Sequence, residues 1–153
     1  MRFSAALGVI GLVLSNTSPA LSQQWGLAQG NRDNILLADE ETITEYAGRT
    51  LVWTALVPRE PMDGMYYFVI RQSVDCRAGT MRYTAFSAFD AEGQPSLSDY
   101  SVGEERAAIP GSLDSGVLKV ACEGDFITDL RFGTIDAAKR YFEPALDAVL
   151  ATD

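Results

Sequence analysis

Residues 50–90 read TLVWTALVPREPMDGMYYFVIRQSVDCRAGTMRYTAFSAFD, and the fold turns on this stretch. Three runs within it, Leu51–Val57, Met65–Val74 and Thr80–Phe89, are rich in the β-branched and aromatic residues that fit a pleated surface. Pro58 and Pro61 stop the first run, and Asp63-Gly64 supplies the turn chemistry for the return. Asp75–Gly79 turns the second run into the third, and Ala91-Glu92-Gly93 closes it. Strands joined by such short turns pair as antiparallel neighbours, so the stretch reads as a β-meander. In the first run Leu51, Trp53, Ala55 and Val57 share one face, while Val52, Thr54 and Leu56 share the other. Both faces are largely apolar, which predicts a central strand covered on two sides.

Working outward toward the N-terminus, Thr42–Tyr46 alternates weakly and reads as a short strand, and Ile35–Leu37 as a buried one. Asn31–Asn34 is turn-like, and Trp25–Ala28 is a short apolar opening. The acidic triplet Asp39-Glu40-Glu41 lacks the Asx/Gly loop of a calcium site and reads as a solvated turn. Toward the C-terminus, Gln94–Ala108 has no clear period and reads as a loop with an edge strand at Tyr100–Val102. Ser112 is placed to cap a helix over Leu113–Glu123 that ends at Gly124, with Leu113, Val117, Val120 and Ala121 facing the core. Phe126–Phe132 reads as a short strand. A second helix begins at Gly133-Thr134, with Ile135, Ala138, Phe142, Leu146 and Val149 at helical spacing. Pro144 is expected to kink or split it near Tyr141. Its apolar face is expected to cover the chain's own sheet, with docking onto a partner as the alternative. The fold class is therefore α+β: a small antiparallel meander of about five to six strands with two helices packed on it.

The first residues stand apart from this. Met1-Arg2 gives a positive start, Phe3–Leu14 is apolar, and small and polar residues run from Ser15 to Ser22. This is the pattern of a secretory signal peptide over residues 1–22, with a cut before Gln23 and a second possible cut before Leu21. An apolar run of about 12 residues is too short to span roughly 30 Å of hydrocarbon as a helix. Residues 23–153 then form a single domain, with no membrane span after cleavage. The chain has 12 Lys and Arg against 21 Asp and Glu, a formal charge of −9 that becomes −10 once Arg2, the leader's one charge, is removed. Such an acidic surface repels nucleic acid and anionic membranes and suits either simple solubility or a cationic partner. The two cysteines, Cys76 and Cys122, form one disulfide in an oxidising compartment, and two free thiols are the alternative.

The chain contains no histidine. Ser-His-Asp and Cys-His catalysis and histidine-ligated metal sites are thereby excluded within it. There is no phosphate loop and no dinucleotide fingerprint, and no cofactor is expected. A pair of carboxylates could still perform hydrolysis, although the sequence marks no such pair. Tyr66-Tyr67 with Trp53 could form an aromatic platform for a sugar or peptide, or could belong to the core.

The order of these features resembles the surface-adhesin E-like family of small exported bacterial proteins. Trp25 comes first, then Arg49-Thr50-Leu51-Val52-Trp53 opening a long strand. Tyr66-Tyr67-Phe68 leads to Asp75-Cys76, Arg82-Tyr83 to Glu92-Gly93, and Ile109-Pro110-Gly111-Ser112 to Val120-Ala121-Cys122. The resemblance covers Trp25 to Cys122; Glu105-Arg106-Ala107 stands where the family's pattern has a tryptophan, and the C-terminal helix lies outside it. It implies a small antiparallel sheet carrying helices and a disulfide, and adhesion to host or matrix proteins in its best-known member. It carries no binding residue over to a position here. The expectation is an exported, non-enzymatic binding protein with a protein partner at the envelope, in the periplasm or at the cell surface. The alternative is a periplasmic hydrolase or lyase using carboxylates. A functional surface is expected in the Gln94–Ala108 loop and the Pro58–Gly64 turn.

Overall fold

The computed structural model describes residues 23–150, so the expected leader lies outside the described residues. The strands are β1 (Trp25–Gly30), β2 (Asn34–Asp39), β3 (Thr44–Tyr46), β4 (Arg49–Pro58), β5 (Tyr67–Asp75), β6 (Thr80–Phe89), β7 (Pro95–Asp99) and β8 (Arg106–Ala107). Two helices follow, α1 (Leu113–Glu123) and α2 (Ile135–Leu150). The strands form one sheet in the order β1-β2-β4-β5-β6-β7, with β3 beside β4 and β8 beside β6. Every pairing is antiparallel. The class is α+β, as the periodicity of the sequence indicates.

The two helices lie on opposite faces of the sheet. Successive residues of a strand point to opposite sides, and β2 is buried on both. Leu36 and Ala38 pack with Val52, Val74 and Met81 under Val117, Val120 and Ala121 of α1. Ile35 and Leu37 pack with Trp25, Leu27, Ala55 and Val57 under Ala138 and Phe142 of α2. The continuous apolar run Ile35–Leu37 and the two apolar faces of β4 are the sequence trace of this double cover.

Helix α1 forms where its caps dictate. The Ser112 side chain accepts a hydrogen bond from the Ser115 amide at 3.3 Å, and Gly124, left-handed at φ 68°, donates to the carbonyls of Lys119 and Val120. Cys76 and Cys122 are disulfide-bonded, with Cα atoms 5.6 Å apart, and this fixes the last turn of α1 to the β5–β6 turn. A closed loop of this size stabilises by about 4 kcal/mol in the chain-entropy account.

Three expectations are corrected. Tyr100–Val102 is not a strand; pairing to β6 begins earlier, at Pro95, and resumes in β8. The Asp90 carboxylate accepts from the Glu92 and Gln94 amides, closing a tight turn that brings Pro95 to the edge, where no amide donor is needed. Asp99 then binds the Ser101 amide and hydroxyl and ends the strand. Phe126–Phe132 is also not a strand. It makes an isolated bridge, with Trp25 and Phe132 exchanging amide–carbonyl bonds of 2.9 and 3.0 Å, and so covers the outer edge of β1. Trp25–Ala28, read as an apolar opening, is the body of that edge strand. Lastly, of the kink or split expected at Pro144 the split is absent, and α2 runs unbroken through it. Pro144 and Arg140, whose carbonyl loses its helical donor, are both exposed, so water satisfies the freed group.

Candidate functional site

Beyond the edge of α2, its face of the sheet is open, and a trough runs across it. The β4–β5 register sets Trp53 opposite Arg71 and Ala55 opposite Val69, which places Trp53 and Val69 on one face as diagonal neighbours. Two residues further, Tyr67 stands opposite Phe89 of β6, and the two rings stack 4.7 Å apart and 8° from parallel. Trp53, Val69, Tyr67 and Phe89 are each half-buried and make the floor. Two adjoining hollows stand over it. The first, about 320 Å³, is lined by Gln23, Trp25, Asp39, Glu41, Thr42, Trp53 and Val69. The second, about 330 Å³, shares Gln23, Trp25 and Val69 and adds Tyr67, Phe89, Thr134, Ile135 and Asp136.

Local bonding holds the walls. The Thr42 hydroxyl donates to the Asp39 carbonyl at 2.7 Å and accepts from the Trp53 amide at 3.0 Å, so the turn Glu40–Thr42 is pinned beside the indole. Asp39, itself buried, accepts from the Gln24 amide at 2.8 Å. At the second hollow the Thr134 hydroxyl caps α2 by accepting from the Ala137 amide at 3.1 Å. Asp39, Glu41 and Asp136 are the charged residues of both linings, and neither lining contains Lys or Arg. The Tyr67 hydroxyl has its pKa pushed up, by burial first and then by the carboxylates of Asp136 and Asp90.

The residues singled out in the sequence are distributed unevenly around this trough. Trp53 and Tyr67 are brought together on its floor, whereas Tyr66 is exposed and lines a smaller hollow of about 120 Å³ beside it. Of the acidic triplet, Asp39 and Glu41 line the trough and Glu40 pairs with Arg131. The Pro58–Gly64 turn borders a hollow of about 510 Å³, with Arg32, Asp33, Glu143 and Asp147. Its arginine is engaged: Arg59 pairs with Asp147 and donates to the carbonyls of Glu143 and Arg32, clamping α2 to the turn. The Gln94–Ala108 loop exposes Leu97, Tyr100 and Val102 and is latched by Glu105, which accepts from Thr80 at 2.6 Å and Arg49 at 2.8 Å. Cys76 and Cys122 are joined and serve the fold. Sequence reasoning missed Trp25, Phe89 and the start of α2 as parts of a site, because only the folded sheet brings them together.

Among the described residues no cluster of three His, Cys, Asp or Glu side chains stands close enough to hold a metal ion. Asp75, Asp99 and Glu105 have their carboxyl pKa values moved, in each case downward, by the hydrogen bonds they accept. That is opposite to what a general acid near neutral pH requires. Among the described residues no helix is long and apolar enough to cross a membrane.

The sequence profile of the family described as Surface-adhesin protein E matches residues 25–123. The chain belongs to that family. The match begins at Trp25 in β1 and ends at the close of α1, so the surface-adhesin E unit comprises the sheet, the disulfide and one helix. Helix α2 lies beyond it, and with it the Thr134, Ile135 and Asp136 wall of the trough. Comparison with curated proteins and with solved structures yields no match.

Proposed function

We propose that this surface-adhesin E family member is exported, that residues 1–22 are removed on the way, and that it acts without catalysis by holding an extended ligand in the trough. The observation that carries this reading is the row of half-buried rings and methyl groups, Trp53, Val69, Tyr67 and Phe89, beneath two adjoining hollows. Partly exposed aromatic surface walled by a few polar groups is the usual make-up of a binding cleft. The family supports an exported or surface location, and the signal-like pattern of residues 1–22 agrees with it. A protein partner in the periplasm or at the cell surface fits both.

Two measurements test this. Intact-mass analysis of the protein recovered from the cell envelope should give a chain that starts at Gln23; recovery from cytosol with residues 1–22 attached would overturn export. A photoreactive amino acid replacing Tyr67 should form a discrete adduct in intact cells, whereas the same group replacing the exposed Lys119 on the far helix should not. Equal labelling at both positions, or none at Tyr67, would remove the trough as the binding surface.

A further inference from the structure

We infer that the trough selects a basic peptide segment in extended conformation, laying Lys or Arg side chains across its rings with their cationic ends toward Glu41 and Asp136. The inference rests on the binding role proposed above and goes further by naming the ligand's chemistry. Three features of the trough point to it.

The first is charge. The two linings contain three carboxylates and no basic residue. Asp39 is buried and committed to the Gln24 amide, but Glu41 and Asp136 are exposed, one at each hollow. The rise of the Tyr67 hydroxyl pKa, to which the nearby carboxylates of Asp136 and Asp90 contribute, agrees with a negative potential at the second hollow. A formal charge of −9, or −10 without Arg2, adds a long-range attraction for a basic partner and a repulsion for an acidic one. Two bases adjoin the floor outside both linings, one toward each end: Arg71, which its register places opposite Trp53, and Lys139, which shares the smaller neighbouring hollow with Tyr67 and Asp136.

The second is the surface of the floor. The indole of Trp53 and the Tyr67–Phe89 pair, whose rings stack on each other, offer apolar surface to the methylene stems of Lys or Arg. A neutral apolar peptide would use the floor and leave the walls unanswered.

The third is length. Along β5 the floor runs from the level of Trp53, opposite Arg71, to Tyr67. Four residues of strand span about 13 Å, so a ligand of four or five extended residues covers the floor. Alternate side chains of such a ligand point the same way, which favours basic residues at every second position.

The test uses residues 23–153 and three fluorescent heptapeptides read by anisotropy: one alternating Lys and Leu, one with Glu for Lys, and one with Gln for Lys. The Lys probe should bind, weaken as salt rises from low to high ionic strength, and lose about fivefold or more in affinity with Trp53→Ala. Glu41→Gln and Asp136→Asn should each weaken it too, and Trp53→Phe, which keeps a ring, should retain most of the binding. Thermal melts confirm that each variant is folded. Equal binding of the Lys and Gln probes, with both dependent on Trp53, would overturn the choice of a basic ligand and leave the trough as a binding site. Lys-probe binding that ignores Trp53→Ala and is not blocked by a crosslinker at position 67 would indicate diffuse surface charge and overturn both readings. No binding of the Lys probe would overturn this inference alone, since the cellular crosslink at Tyr67 is read independently.

Discussion

Glu105 ties a long loop to the sheet. It accepts hydrogen bonds from the Thr80 hydroxyl and the Arg49 guanidinium, and Arg82 approaches its second oxygen at 3.8 Å. Those hydrogen bonds, Thr80's foremost and Arg49's next, hold its carboxyl below the ordinary glutamate value of 4.5. A carboxyl group with a depressed folded-state pKa stabilises the fold above its unfolded value, and that contribution fades as pH falls through the folded one. Glu105→Gln should therefore melt at a lower temperature than the parent at pH 7, and the gap should close progressively below about pH 4. Melting curves across that range check this, and a gap that stays constant with pH would show that the carboxylate charge is not what holds the loop. Nothing local marks Glu105 in the sequence, because its partners Arg49, Thr80 and Arg82 belong to strands far away along the chain. Ser112 and Gly124, by contrast, were legible, since a cap acts on its own helix and its chemistry is written within a few residues.

At the scale of elements, legibility follows the same division. The strands β4, β5 and β6 and helix α1 carry their own periods and stop signals, and all four were readable. The edge pieces were not, because β7 and β8 exist through pairing with β6 rather than through a pattern of their own. The seating of α1 depends on one residue that periodicity passes over. Gly116 is buried where the helix crosses β1, and a Cβ there would lie 2.5 Å from the Gln29 Cβ and 2.8 Å from the Ala28 carbonyl oxygen. Ala is intrinsically better in a helix than Gly by roughly 1 kcal/mol. Here the helix would have to lift off backbone that cannot rotate aside, and overpacking of this kind costs about 1–3 kcal/mol, which the propensity gain matches only at the lower end. Gly116→Ala should thus lower the denaturation midpoint. A rise would mean that propensity decides and that α1 does not sit tightly on β1.

At the scale of the whole molecule, the family unit and the extra helix share one core. The α1 face is closed within residues 25–123 and fastened by Cys76–Cys122. The other face is not: Trp25, Leu27, Ile35, Leu37, Ala55 and Val57 all lie within the family match, yet Ala138 and Phe142 that cover them come from α2. Phe142 is the main plug, 2 % exposed and edge-on to Phe132 with ring centres 5.3 Å apart. Removing such a ring from a filled core costs about 3–5 kcal/mol, a large share of the roughly 5–15 kcal/mol by which domains of this size are stable. Phe142→Ala should therefore lower the melting temperature sharply, and a chain ending at Gly133 should go further. That shortened chain should keep the β-sheet signal in circular dichroism, because the α1 face and its disulfide are intact. It should also bind a hydrophobic dye and show red-shifted tryptophan emission as Trp25 meets water. The trough would lose the Thr134, Ile135 and Asp136 wall in the same step, so the Lys probe should weaken more for the shortened chain than for Phe142→Ala. A shortened chain that melts like the parent, with Trp25 still shielded, would show that the family unit closes this face by itself and that α2 is only an appendage.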